Sequence, residues 1–174
     1  RQAFPHPQAV GLVIKTQNSG RNATEFSALQ TQLADLPHTH LISDTLPRAA
    51  VLELQQTCDC FVSLHRAEGF GLGLAEAMFL GKPVISTDWS ATTEFVTAAN
   101  GCPVNYRMVT LDRDYGPYER GQQWADADVE HAAHWMRKLV EDAALRGRLG
   151  AQAAADIRRL YSPEAIGRRY LQRL

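Results

Sequence analysis

Short apolar runs alternate with helical stretches along the first 106 residues, and this alternation limits the folds open to the chain. Strands are predicted over 9–15, 39–43, 60–64, 83–87 and 102–106, and helices over 24–36, 47–58, 72–80 and 92–99. Short apolar strands that are separated by helices form parallel sheets covered on both faces. The pattern therefore predicts an α/β fold, a Rossmann-like parallel sheet flanked by helices. Helical spacing over 126–174 adds a tail of C-terminal helices.

The ligand of such a sheet lies beyond the carboxyl ends of the strands. In this sequence the predicted edge carries Lys15, Ser43, the turn from His65 to Gly73, and Thr87-Asp88. One segment, 107–125, is polar and has no clear periodicity. It is predicted to be a loop insertion, because long stretches without a pattern are functional loops or disordered segments.

The turn and the helix after it are rich in glycine, which suggests a ligand that bears phosphate. A dinucleotide fingerprint is one alternative, because glycines stand at 69, 71 and 73 after a strand and before a helix. The third glycine of that fingerprint, however, falls on Leu74 or Glu76, and Glu76 would face a pyrophosphate with like charge. A dehydrogenase is therefore the less favoured interpretation.

Two carboxylates, Glu68 and Glu76, fit a ligand that displays hydroxyl groups as well as phosphate. Backbone N–H groups of the turn and the positive end of the helix dipole favour a phosphate. A carboxylate on an apolar helix needs hydrogen-bond donors, which vicinal ribose hydroxyls supply. Eight residues span about 12 Å along a helical path, roughly the reach from ribose to sugar in a nucleotide sugar. The alternative is that Glu68 is a surface charge and Glu76 a core residue paired with an arginine.

Composition and charge exclude several partners. The chain has 18 basic and 19 acidic residues, so nothing indicates nucleic-acid binding. The three cysteines, Cys58, Cys60 and Cys102, lack the spacing of a zinc site. Asp112 and Asp114 have the D-x-D spacing of metal-dependent sugar-nucleotide sites, but three residues are a weak signal. No metal or other cofactor is therefore expected.

The segment LHRAEGFGLGLAEAMFLGKPVIST, followed by Glu94 and by Asn-Gly at 100–101, resembles a known family. It is similar to the C-terminal, donor-binding domain of retaining GT-B glycosyltransferases of family 4, the glycosyl transferases group 1. The shared hallmark is a pair of glutamates around Gly-Phe-Gly-Leu, then Glu-Ala-Met and Gly-x-Pro-Val-Ile. Weaker resemblance extends over nearly the whole chain.

The resemblance implies roles for individual residues. Glu76 matches the glutamate that binds the nucleotide ribose, and Glu68 matches the catalytic-site glutamate beside the donor sugar. Backbone groups of the glycine turn would approach the sugar and diphosphate; in this sequence they belong to Phe70, Gly71, Leu72 and Gly73. The family needs no metal.

The sequence departs from the family pattern near its start. Relatives carry an arginine and a lysine after an earlier strand, and residues 1–7 look like the end of a helix that would follow that strand. Residues 1–174 are therefore expected to form a single donor-binding fragment without the first strand and helix. Lys15, His65 and Arg66 are further candidates for contact with the donor.

The implied function is retaining transfer of a hexosyl group from a nucleotide diphosphate sugar to a glycan or lipid-linked acceptor. The acceptor would bind an N-terminal domain, and the fragment alone would be inactive. The resemblance suggests bacterial surface polysaccharide synthesis in the cytoplasm, with peripheral association at the inner face of the plasma membrane as an option. A non-catalytic nucleotide-sugar binding module and a nucleotide-sugar epimerase of the same fold remain alternatives.

Overall fold

The computed structural model describes residues 1–6, 9–116 and 118–173. The predicted segments 1–7, 107–125 and 126–174 each contain one position that lies outside the described residues. These positions are Pro7, Pro117 and Leu174. The chain separates into two compact units, Arg1–Val51 and Leu52–Leu174.

The first unit contains a parallel strand pair. β1 (Leu12–Lys15) runs beside β2 (Thr39–Ile42), and α1 (Ala23–Leu33) lies between them in sequence. α2 (Arg48–Thr57) begins in this unit. The described residues 1–6 form no helix of their own, and their assignment to the end of a helix stays a prediction. Pro5 disfavours the helical conformation at the residue before it.

The second unit is built on a three-stranded parallel sheet in the order β3-β4-β5. β3 (Phe61–Ser63) and β5 (Cys102–Val104) flank β4 (Val84–Thr87), whose four residues are all buried. Successive side chains of a strand point to opposite faces. Val84 accordingly packs in one apolar cluster and Ile85 in another.

Helices cover this sheet. α3 (Leu72–Phe79) and the second half of α5 (Ala143–Tyr161) form one cluster with β4, while α4 (Val129–Glu141) and the first half of α5 form the other. α6 (Pro163–Leu171) completes the predicted helical tail. None of the helices in the described part of the chain combines the length and apolar character of a membrane-spanning segment.

Side-chain caps divide the C-terminal region into its helices. Asp128 accepts a hydrogen bond from the His131 N–H at 2.9 Å, and Asp142 accepts one from the Leu145 N–H at 2.8 Å. Ser162 accepts one from the Ala165 N–H at 3.1 Å, immediately before Pro163. Such caps satisfy N–H groups that have no partner within the helix.

The segment 107–125, predicted as a loop, is largely an antiparallel hairpin. β6 (Tyr106–Thr110) pairs with β7 (Gln123–Ala127), so that Tyr106 lies opposite Ala127. The loop prediction missed the strands because the exposed residues of this two-stranded ribbon give no regular apolar alternation. We refer to residues 106–127 as the hairpin.

The helix predicted over 92–99 is also wrong. A short 3₁₀ turn, Ser90–Glu94, ends before the buried Asn100 side chain takes over the local hydrogen bonds. Asn100 Nδ2 donates to the Phe95 carbonyl at 2.9 Å, and its Oδ1 accepts from the Thr97 N–H at 2.8 Å. These are backbone groups that a continuing helix would have used.

Candidate functional site

Gly71 sets the direction of the chain where the glycine turn enters α3. Its φ of 91° lies in the left-handed region, and it is the residue directly before the helix. A Cβ atom at this position would lie 2.6 Å from Thr92 Cγ2 and 3.4 Å from Phe95 Cζ. Both the backbone conformation and the space therefore require glycine.

The Glu68 carboxylate closes the turn in front of α3. Its Oε1 accepts hydrogen bonds from the Gly71 N–H at 3.0 Å and the Phe70 N–H at 3.4 Å. Ser90 holds the Glu68 backbone, since its Oγ donates to the Glu68 carbonyl at 2.7 Å and accepts from the Glu68 N–H at 3.3 Å. Two amides expected to meet the ligand are thus occupied by Glu68.

The first turn of α3 still presents N–H groups of the kind that bind anions. The first N–H groups of any helix have no partner within the helix, and the dipole makes this end positive. Leu72 is 57% exposed at that end. The candidate phosphate position is therefore the start of α3, with the Glu68 carboxylate beside it.

Glu76 lies one turn further along α3, on the same face as Leu72 and Phe79. Phe79 is 53% exposed, and Glu76 itself is half-buried with its Oε1 atom shielded from solvent. An apolar helix such as α3 would be expected to be buried on every side, but Leu72 and Phe79 reach the surface. Glu76 therefore lies on the open face of the helix rather than in the middle of the core.

Phe70 and Gly73 shape the turn by packing. The Phe70 ring lies 5.6 Å from the Phe95 ring and 5.3 Å from the Tyr161 ring, between centroids. A Cβ atom on Gly73 would lie 3.1 Å from Phe61 Cζ. Aromatic packing of this kind fixes the turn against the α3 and α5 cluster.

His65 connects the turn to the loop after β4. Its Nε2 lies 3.0 Å from the Trp89 carbonyl oxygen and 3.2 Å from Thr92 Oγ1, and its Nδ1 lies 3.3 Å from Ser63 Oγ. A carbonyl only accepts, so Nε2 carries the proton and Nδ1 accepts from the serine. His65 was a candidate for contact with the sugar donor, and both of its ring nitrogens are hydrogen-bonded to protein groups.

Arg66 faces the hairpin. Its guanidinium carbon lies 4.5 Å from the centroid of the Trp124 ring, and its carbonyl accepts from the Ala125 N–H at 3.0 Å. A shallow cavity of about 350 Å³ is lined by Leu64, Arg66, Asp126, Ala127 and Val129.

Lys15 belongs to the first unit and is described apart from the turn. It is the last residue of β1, half-buried, and its ammonium group donates to the carbonyl of Thr16.

Several residues that support the turn escaped the sequence reasoning. Trp89, Ser90 and Thr92 bind His65 and Glu68 from more than 20 residues away. Their signal was the short segment after β4; Thr92 was assigned to the predicted helix over 92–99, and Trp89 and Ser90 were assigned to no element.

The described residues hold no cluster of three or more His, Cys, Asp or Glu side chains that could bind a metal. Asp112 accepts from the Tyr115 hydroxyl at 3.2 Å, and Asp114 accepts from the Arg120 N–H at 2.8 Å. Burial raises the pKa of the Cys60 and Cys102 thiols to about 12, so both remain protonated and are poor ligands.

The parallel sheets, flanking helices and helical tail define the class to which the fold belongs, that of GT-B glycosyltransferases. One similar structure is that of Anabaena Alr3699/HepE in complex with UDP and glucose, at 17% identity and a TM-score of 0.70; the match covers 95% of this chain and 40% of that one. A glycosyltransferase from Rickettsia africae matches at 15% identity and a TM-score of 0.70, over 95% and 39% of the two chains. Sucrose-phosphate synthase from Thermosynechococcus elongatus matches at 17% identity and a TM-score of 0.67, and the match covers 92% of this chain and 38% of that one. The chain thus spans about two fifths of the length of these proteins, and the predicted fold class is confirmed.

The family follows from the sequence match. The family model described as glycosyl transferases group 1 matches residues 9–106, more than half of the chain. The chain therefore belongs to the glycosyl transferases group 1 family. No curated protein sequence gives a significant match to it.

Proposed function

We propose that this chain is the donor-binding part of a retaining glycosyltransferase of family 4. The whole enzyme transfers a hexosyl group from a nucleotide diphosphate sugar to a glycan or lipid-linked acceptor, which an N-terminal domain binds. We place it in bacterial surface polysaccharide synthesis, in the cytoplasm and peripherally at the inner face of the plasma membrane. No metal or other cofactor takes part.

The observation that carries the proposal is the arrangement around the start of α3, in a chain of this family. Gly71 turns the backbone so that the first turn of α3 begins at an exposed position, where its N–H groups attract phosphate. Glu76 lies on the open face of the same helix and would accept hydrogen bonds from the ribose hydroxyls. The similar Anabaena protein was solved in complex with UDP-glucose, which supports a nucleotide sugar as the donor.

Catalysis in this proposal comes from positioning and from charge. The helix end stabilises negative charge on the leaving diphosphate. Glu68 lies beside that end, where it would hold the donor sugar through its hydroxyl groups. Holding the sugar in an orientation suited to reaction supplies a further part of the rate. The 174-residue chain alone is expected to bind nucleotide weakly and to transfer nothing.

Replacing Glu76 by glutamine tests the ribose assignment. The amide keeps the volume of the side chain but removes charge-assisted hydrogen bonds, which costs about 1.5–3 kcal/mol. Affinity for UDP, GDP and ADP should then fall by roughly 10- to 100-fold, equally for each base. Isothermal titration calorimetry measures the affinities, and thermal unfolding checks the fold.

The matched control is Glu53→Gln, which makes the same chemical change on the exposed side of α2. It should leave every affinity unchanged. Normal nucleotide binding by Glu76→Gln would show that the ribose assignment is wrong, and a lowered melting temperature alone would indicate a structural role for Glu76.

A further inference from the structure

The hairpin contacts the glycine turn at Arg66. The Trp124 ring lies under the Arg66 guanidinium at 4.5 Å, and the neighbouring Ala125 N–H donates to the Arg66 carbonyl at 3.0 Å. Ala125 is completely buried, whereas its neighbours in β7 are half-buried or exposed. One side-chain contact and one backbone hydrogen bond thus hold the same residue of the turn.

A second connection starts from the other strand of the hairpin. The Tyr106 ring lies 5.3 Å from the Trp89 ring, between centroids. The Trp89 carbonyl accepts from His65 Nε2 at 3.0 Å, and the next residue, Ser90, holds the Glu68 backbone. β6 therefore supports the loop that holds Glu68, while β7 holds Arg66 directly.

Residues near the hairpin tip keep Trp124 in place. Tyr115 and Tyr118 pack against its ring, with centroids 5.1 and 6.0 Å away. An isolated two-stranded ribbon is marginally stable in water, so these aromatic contacts and those to the turn are what order it.

From these contacts we infer that the hairpin positions the glycine turn for the donor diphosphate, with Trp124 as its main positioning residue. The inference rests on the proposed function for the part that concerns the donor. Trp124 acts through Arg66, which fixes one end of the segment that carries Glu68, Phe70 and Gly71. Loss of the ring would let the turn sample other conformations and would weaken nucleoside diphosphate binding.

Hydrogen exchange of the 174-residue chain tests the positioning directly. In Trp124→Ala, amide exchange over residues 66–72 should rise by about three- to tenfold, the scale of a lost cation–π contact. Exchange in β4 should not change. Trp124→Phe retains an aromatic face and should restore most of the protection, which covers the case in which the alanine variant fails to fold. The control, Gln123→Ala, removes an exposed side chain on the opposite face of β7, together with its exposed hydrogen bond to Thr110 Oγ1, and should leave the turn as it is.

Calorimetry with UDP completes the test. Trp124→Ala should bind UDP about three- to tenfold more weakly than wild type, and Gln123→Ala should bind it normally. Unchanged exchange over 66–72, an equal rise in β4, or wild-type UDP affinity in Trp124→Ala would each overturn the inference. If the wild-type chain and every variant fail to bind any nucleoside diphosphate, the proposed function fails, and the role of the hairpin in donor binding falls with it.

Discussion

Replacing Gly71 by alanine should destabilise the second unit by about 1–4.5 kcal/mol. The left-handed conformation at this position, with φ of 91°, costs an alanine about 1–2 kcal/mol. The new Cβ atom would meet Thr92 Cγ2 at 2.6 Å, and relieving such overpacking costs about 1–3 kcal/mol more. Alanine also lowers the conformational entropy of the unfolded chain, which offsets about 0.4–1 kcal/mol of this destabilisation.

Urea unfolding followed by circular dichroism measures this change. With a slope of about 1–3 kcal/mol per M, the middle of both ranges corresponds to a fall of the midpoint by about 1.5 M. Two other glycines separate the contributions. Gly121 has φ of 88° but nothing within 4 Å of an added Cβ atom, so Gly121→Ala reports the backbone cost alone.

Gly69 has neither a positive φ nor a close neighbour, so Gly69→Ala should change the free energy of unfolding by less than about 1 kcal/mol. The three variants should therefore rank in the order Gly69, Gly121, Gly71 by increasing loss of stability. A Gly71→Ala protein as stable as Gly121→Ala would refute the argument from the Thr92 contact.

Four further predictions concern other residues. Glu68→Gln in the full-length enzyme should leave the affinity for free UDP nearly unchanged but lower the rate of sugar transfer steeply, which steady-state kinetics would show; equal rates would remove Glu68 from catalysis. Asn100→Ala should cost about 1–3 kcal/mol of stability in urea unfolding, because its buried hydrogen bonds to the Phe95 carbonyl and to Asp156 are lost. Hydrogen bonds from Gln152 and Asn100 lower the pKa of Asp156, so the stability that they confer is present above its usual pKa and is lost as pH falls through the lowered one. Asn100→Ala should therefore lose less stability than wild type as pH falls below the usual pKa of an aspartate, 3.8, and an equal loss would contradict the assignment. EDTA should leave UDP binding unchanged, whereas a loss restored by manganese would favour a metal site at Asp112 and Asp114.

The local pattern of the sequence was enough to predict the parallel α/β fold. Runs such as PVIST at 83–87 carry no charged residue, because β4 is buried on both faces. The start of α6 was also predicted at Ser162, a residue type that caps helices, directly before Pro163. The motif from Glu68 to Glu76 likewise placed a glycine turn before a helix, because Gly71 is needed at its φ whatever surrounds it.

Tertiary structure decided the features that depend on partners far along the chain. The hairpin pairs Tyr106 with Ala127, and its partly exposed strands leave no regular apolar alternation to reveal such a pairing. The helix predicted over 92–99 was replaced by a turn because the Asn100 side chain satisfies the backbone of Phe95 and Thr97. The position of Glu68 depends on Ser90, 22 residues later. The sequence shows that a carboxylate is present, but its hydrogen-bond donors are determined only when distant segments pack together.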